Sequence, residues 1–326
     1  MTLTRRTVAR ALLGVAVSVA AIWILLGAVD IGAALEVLGS ASPAWVLVMV
    51  GSVMIDVAAR GRRWQALLGP VATVAYRRVL GYTYLGYLAN NVLPARLGEL
   101  VRSHALGEGE GVSRTTVLGT VVVERIVDTV IVVALAAGTV VLLSVGGAMA
   151  TGVLLGTAFV AVLVSGLAGA IALHRLPGAD RFLGLAGRWP RVVDLAARLR
   201  TGLAVAAHPR ALGLALVLSA VAWTASIVTI LAAGRAVGIE LSFAQGALLS
   251  SGIALATIVP SGPGYLGTFE LTAVGIASAF GIGPDRAFAM ALLVHALILG
   301  VTSVGGVAAL IAGRRRRSAP ERPRDP

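Results

Sequence analysis

The stretch NNVLPARLGELVRSHAL, Asn90 to Leu106, decides how this chain is organised. An apolar run from Leu80 to Leu93 leads into it and stops at Pro94. That run is shorter than the roughly 20 residues a helix needs to cross a bilayer core of about 30 Å. Pro94 removes a backbone donor and breaks a helix, and Gly98 permits unusual backbone. Non-helical backbone at membrane depth is tolerated only where it lies within protein or lines a wet cavity. The segment is therefore expected to be a broken re-entrant hairpin, with Asn90, Asn91, Arg96, Glu99 and Arg102 around the break. Glu99 and Arg102 share a helix face at i, i+3. The competing reading is an ordinary loop carrying Arg residues that set membrane orientation.

The surrounding sequence places that segment in a membrane. Of the 326 residues, 58% are hydrophobic and 13% are charged. The mean hydropathy is +0.92. Soluble domains carry about a quarter charged residues, so a water-soluble fold is excluded. Long apolar stretches fall at about 11–29, 44–59, 116–145, 151–173, 210–237 and 286–312, each near the length of a span. The first, behind TRRTVAR, is long enough to be retained as a span, and no convincing cleavage site follows it.

The net charge of +12 comes with no Lys, so every positive side chain is Arg. The Arg residues clump between apolar runs: Arg5, Arg6 and Arg10; Arg60, Arg62, Arg63, Arg77 and Arg78; Arg175 to Arg210; and Arg314 to Arg317. This is the cytoplasmic excess that orients inner-membrane proteins rather than a nucleic-acid-binding surface. Both termini are accordingly expected in the cytoplasm, with a basic, disordered tail over 314–326. Following the clumps, segment 80–113 begins and ends on the cytoplasmic side. Segment 240–284, interrupted at Pro260 and Pro263, begins and ends outside. The expected fold is an all-α polytopic membrane protein with about six full spans and two re-entrant hairpins. It forms an integral membrane domain over 1–313, whose halves, 1–147 and 148–313, make an inverted repeat of the kind found in secondary transporters. A weak echo between Pro94-x-x-Leu97-Gly98-Glu99 and Pro263-Gly264-x-Leu266-Gly267 agrees with it. The stretch 174–209 is expected to be the one sizeable cytoplasmic loop, with an interfacial helix over Val192 to Val205.

Three places carry candidate chemistry besides the first hairpin. In VVVERIVDTVIVV, Glu124, Arg125 and Asp128 stand inside an apolar run, where each charge costs roughly 2.5–3.5 kcal/mol at a helix centre. Arg125 can pair with Asp128 at i+3. The cluster is either a functional site or an ion network locking the helix near the membrane boundary, and the sequence leaves both open. In ATIVPSGPGYLGTFELT, Pro260, Pro263 and the glycines forbid a continuous helix. The amides that this frees favour an anionic group such as phosphate. Ser261, Gly264 and Tyr265 flank this second break, and Glu270 reads as a lone carboxylate. Asp56 and Arg60, at i and i+4, read as an ion pair, and His295 reads as a hydrogen-bonded packing residue. The absence of Cys and the scatter of four His exclude thiolate chemistry and argue against a metal centre. GEGEG at Gly107 to Gly111 lacks the lysine and the strand–loop–helix context of a phosphate-binding loop. No cofactor or nucleic-acid partner is expected.

NNVLPARLGELVR, VVERIVD, RWQALL at Arg63 to Leu68 and PSGPGYLGTFE, in that order, resemble the lysylphosphatidylglycerol synthase transmembrane-region family, over about residues 10 to 312. The resemblance implies a flippase-like membrane domain that moves aminoacylated phospholipids between leaflets. The cytoplasmic aminoacyl transferase domain of that family has no counterpart in this sequence, so lysyl transfer is not expected. Membrane lipids are the expected partners, with a separate lipid-modifying enzyme or an oligomer as further possibilities. Three functions follow as expectations: a translocase for an anionic, aminoacylated or lipid-linked substrate; an intramembrane enzyme using Glu99 or Glu124 as base; or a scaffold for a separate synthase.

Overall fold

The computed structural model describes residues 5–93, 97–144, 146–147, 204–257 and 261–317, with isolated positions at 151, 155, 158, 162 and 165. Side chains are described from residue 13 to residue 314 within those segments. Pro94, Arg96, Pro260, most of the apolar stretch 151–173, nearly all of 174–209 and the tail from 318 lie outside the described residues.

The described residues are helical. Helix α1 (Arg5–Ala28) meets α2 (Ile31–Gly39) at an elbow of 87°. The segment between the first two long helices, which holds Asp30 and Glu36, is thus largely a helix. Asp30 explains it: its carboxylate accepts from Ala33 N at 3.1 Å and caps α2, while its own amide donates to Asp285 Oδ1 at 2.8 Å. Ala34 is buried, and Val37 and Leu38 pack against the core, so α2 has an apolar face to bury.

Helix α3 (Pro43–Leu68) starts with Pro at its first turn and continues beyond the expected end at 59. Helices α4 (Tyr76–Val92) and α5 (Gly98–Glu110) flank the first break. They pack arm against arm: a Cβ at Gly98 would stand 2.1 Å from the Gly86 carbonyl oxygen. Helix α6 (Arg114–Leu142) follows. The later segments are α7 (Pro209–Ala236), α8 (Phe243–Ala256), α9 (Thr268–Ser278) and α10 (Pro284–Arg317). A capping box between Ser242 and Gln245 starts α8, and a short 3-10 turn, Pro263–Tyr265, sits in the second break.

Helices α3, α6, α7 and α10 are long and apolar enough to cross a bilayer, and the bent α1–α2 pair makes a possible fifth crossing. Leu47, Met54, Val141, Leu142, Val217 and Val304 are exposed on them, an apolar exterior suited to lipid. The chain is a multi-pass membrane protein.

Two apolar cores lie on either side of a charged layer. On α3 the order is Met49 in one core, then Asp56, Arg60 and Arg63, then Trp64 in the other. On α6 the order is reversed: Val117 and Val121, then Glu124 and Asp128, then Val140. The first core packs around the second break and the second against α4 and α5, with the charged layer between them.

Candidate functional site

Spacing builds the charged layer. Asp56, Arg60 and Arg63, at i, i+4 and i+7, share one face of α3. Glu124 and Asp128 lie one turn apart on α6, and α5 supplies Glu99 and Arg102. Arg60 Nε binds Asp56 Oδ1 at 2.8 Å and Arg60 reaches Asp128 at 3.4 Å. Arg63 is fully buried and is the hub: it donates to Glu124 Oε1 at 2.9 Å, to both oxygens of Asp128, and to Ser219 Oγ at 2.9 Å. Arg102 donates to Glu124 Oε1 at 3.1 Å and lies 4.5 Å from the Trp64 ring centroid. Arg125 bonds Glu124 Oε1 at 2.7 Å, Asp128 at 3.4 Å and, more distantly, Glu99 at 3.9 Å.

Four guanidinium groups (60, 63, 102, 125) thus meet four carboxylates (56, 99, 124, 128), and the cluster is neutral. Isolated charges at this depth are costly, and mutual pairing offsets much of that cost. At about 1.5 Å per residue, Glu124 lies roughly 15 Å from the start of α6 and Asp128 roughly 21 Å from its end, far from either terminus. The Arg60–Arg63 clump, read from sequence as orienting charge, is therefore corrected in part. Arg63 is buried and Arg60 mostly covered, both as partners of carboxylates, and Arg62 is the exposed member.

The layer opens onto a cavity of about 260 Å³. Its first-half wall includes Asp56, Arg60, Tyr87, Asn90, Asn91, Glu99, Arg102 and Arg125; its second-half wall includes Trp223, Ser226, Thr257, Tyr265, Phe269 and His295. Of the residues expected to bind substrate, Asn90, Asn91, Glu99, Arg102, Arg125 and Tyr265 line it. Glu124 and Asp128 stand behind the wall, in contact with its arginines. Ser261, Gly264 and Glu270 are buried in or beside the second break, behind Tyr265 and His295. Asn90 and Asn91 are structural as well: Asn90 Oδ1 accepts from Gly98 N at 2.7 Å, closing the first break, and Asn91 donates to Thr302 and Ser303 on α10.

Two expectations for the second break are corrected. Glu270 is not a lone carboxylate; it accepts from Gly267 N at 2.8 Å and touches His295 Nδ1 at 2.5 Å. The amides expected to await an anion are in part already taken. Gly262 N donates to Ser18 Oγ on α1 at 2.9 Å, and Gly267 N is held by Glu270. The backbone here needs glycine: Gly264 and Gly267 have φ of 63° and 82°, and a Cβ on Gly267 would meet Ser18 O at 2.8 Å.

Several polar atoms in this region carry no hydrogen bond. Glu99 Oε2, Glu124 Oε2, Arg125 Nε and Ser261 Oγ are buried without a partner. Buried polar groups are normally satisfied. Arg125 has the most exposed side chain of the four arginines, 40% accessible against 0–12% for Arg60, Arg63 and Arg102. Among the described residues no group of His and carboxylates is arranged to hold a metal. Arg63, Tyr87, Trp223, Ser226 and Thr229 were not legible as site residues; the i, i+7 spacing of Asp56 and Arg63 was the available signal for the first.

Comparison with known proteins bears on this arrangement. A family model described as the lysylphosphatidylglycerol synthase TM region matches residues 11–306. The chain belongs to that family. The lysylphosphatidylglycerol synthase TM region therefore takes in α1 through most of α10, both breaks and the whole charged layer. This member is also similar to a protein named Glycosyltransferase AglD from Haloferax volcanii, at 26% identity over 92% of this chain and 54% of the relative. It spans about half the length of that curated relative. No solved structure matches.

Proposed function

We propose that the cavity receives the polar headgroup of a membrane lipid or lipid-linked substrate and that the protein carries it across the bilayer. Arg125 would engage a phosphate from the cavity wall. Glu99, whose Oε2 has no partner, would accept from a hydroxyl or ammonium group. A volume near 260 Å³ suits a headgroup, leaving acyl or polyprenyl chains outside in the lipid. The two halves, each with a broken segment reaching the charged layer, would act as an inverted repeat that exposes the cavity to either side in turn.

One observation supports this reading: residues flanking both breaks line one cavity, and of the three arginines in its wall Arg125 has the most exposed side chain. An ion network built purely for scaffolding has no need of a void beside it. The protein should be reconstituted into vesicles containing a fluorescent anionic phospholipid, and transfer between leaflets followed by quencher protection. With equal amounts of folded protein reconstituted, Arg125→Gln and Glu99→Gln are expected to abolish transfer; transfer at the wild-type rate in both variants overturns the proposal.

A second reading rests on the relative named a glycosyltransferase, of which this chain matches about half. In it, the chain is the membrane partner of a separate enzyme acting on a lipid-linked substrate. Co-purification of such an enzyme, with no lipid transfer by the protein on its own, distinguishes the two.

A further inference from the structure

His295, on α10, stands between two acceptors. Its Nε2 contacts the Gly264 carbonyl oxygen at 2.6 Å, and its Nδ1 contacts Glu270 Oε1 at 2.5 Å. A carbonyl oxygen can only accept, so Nε2 carries a hydrogen. A second hydrogen must lie between Nδ1 and Oε1, either on an imidazolium facing a carboxylate or on a carboxylic acid facing a neutral imidazole. Either way the pair holds one proton beyond that of neutral His295 and ionised Glu270, and with it the pair is neutral. The other carboxyl oxygen of Glu270 accepts from Gly267 N at 2.8 Å. Phe269 stacks on the ring with centroids 4.3 Å apart, which shields the site on one face.

These contacts fasten the second break at three points along its backbone. His295 holds Gly264, Glu270 holds Gly267, and Ser18 on α1 holds Gly262. Removing the proton leaves one ring hydrogen for two acceptors, so a nitrogen lone pair faces either the Glu270 carboxylate or, in the other tautomer, the Gly264 carbonyl oxygen. That contact is repulsive, and the pair gains an uncompensated negative charge. The fastening must then part. His295 lines the cavity, so the cavity is a route by which the proton can leave to water.

We propose that Glu270 and His295 form a one-proton site that latches the second break when occupied and releases it when empty, so that movement of the break is coupled to a proton. The latch stands on its own geometry; its use in transport rests on the function proposed above. The other titratable groups on the cavity wall are Asp56 and Arg60 on α3, Tyr87 on α4, Glu99 and Arg102 on α5, Arg125 on α6, and Tyr265 in the second break itself. Of the remaining helices packed against α10, α2 bears Glu36 and α7 bears Arg210 and Arg235, all exposed. Among the described residues, Glu270 is the carboxylate bonded to His295.

The chain has no Cys, so one introduced thiol is a unique reporter. Ser261→Cys places it in the break, at a site 4% exposed. The full chain in nanodiscs is labelled with a maleimide across mildly acidic to mildly alkaline pH, in the wild-type background and with Glu270→Gln. The amide of Glu270→Gln can donate to Nδ1 and accept from Gly267 N, which mimics the protonated latch without titrating. Dividing the two rates cancels the thiol's own pH dependence. The ratio is expected to rise with pH along a single-proton curve, up to about tenfold per pH unit on its steep limb. A ratio that stays flat overturns the latch. His295→Gln, carrying the same thiol, is expected to label fast at every pH; labelling as slow as Glu270→Gln would also overturn it. In the vesicle assay, Glu270→Gln should remove the pH dependence of lipid transfer. If no lipid transfer is found for the wild type while the labelling ratio still titrates, the latch stands and the transport reading falls.

Discussion

Arg63→Met removes the hub of the charged layer while keeping a side chain of similar reach. In the native protein Arg63 satisfies Glu124 and Asp128 together and is fully buried. Without it, three arginines face four carboxylates, and Asp128 loses its closest partner. Breaking a buried ion pair by removing one member costs about 3–5 kcal/mol, because the remaining charge is left uncompensated. The double variant Arg63→Met/Asp128→Asn restores three against three, and the new amide still accepts from Trp223 Nε1, which is 3.3 Å from Asp128 Oδ1 in the native protein. It should recover at least about 2 kcal/mol of the loss, since apolar replacement of a whole buried pair is often neutral. Arg62→Met, on the exposed side of the same turn, should change stability by no more than about 0.5 kcal/mol. Equilibrium unfolding by SDS in bicelles, followed by tryptophan fluorescence, measures all three; Trp64 and Trp223 lie within the layer. A single variant within about 1 kcal/mol of wild type, or a double variant worse than the single, would refute the idea that charge balance holds this layer together.

Gly98→Ala should prevent the arms of the first hairpin from closing, because the added Cβ would sit 2.1 Å from the backbone oxygen of Gly86 and 2.6 Å from Asn90 Cγ. Size-exclusion chromatography after gentle extraction should show loss of the monodisperse peak, whereas Gly138→Ala, with open space around its Cβ position, should elute normally. Ser18→Ala leaves Gly262 N without its partner in a buried setting and should lower stability by about 1–3 kcal/mol in the same SDS titration.

Much of this architecture was legible in the sequence because proline and glycine interrupt apolar runs in ways few structures tolerate. The arms on either side of Pro94 and the break near Pro263 follow from that reading, and the apolar stretches at 116–145, 210–237 and 286–312 mark the helices Arg114–Leu142, Pro209–Ala236 and Pro284–Arg317 by their length alone. Helix α2 escaped it because the capping role of Asp30 depends on a single hydrogen bond in a short segment. Arg63 escaped because an Arg beside Arg62 looks like orienting charge; its burial depends on where α6 and α7 pack, which no local pattern encodes. Glu270 was singled out, but its partner His295 lies on another helix, so its bonding was not readable. The same holds for Arg102 and Glu99, adjacent on one helix face yet engaged with Glu124 and Arg125 on α6.

The central claim is that the cavity between the two breaks holds a lipid headgroup, and native mass spectrometry of the intact protein released from nanodiscs tests it most directly. Ala254 lines the cavity from α8 and carries no charge, so Ala254→Trp fills the void without altering the ion network. Wild type is expected to retain one anionic lipid at activation energies that strip the rest, and Ala254→Trp, at the same stability, to retain none. Equal retention by both proteins would place the lipid elsewhere and contradict the account.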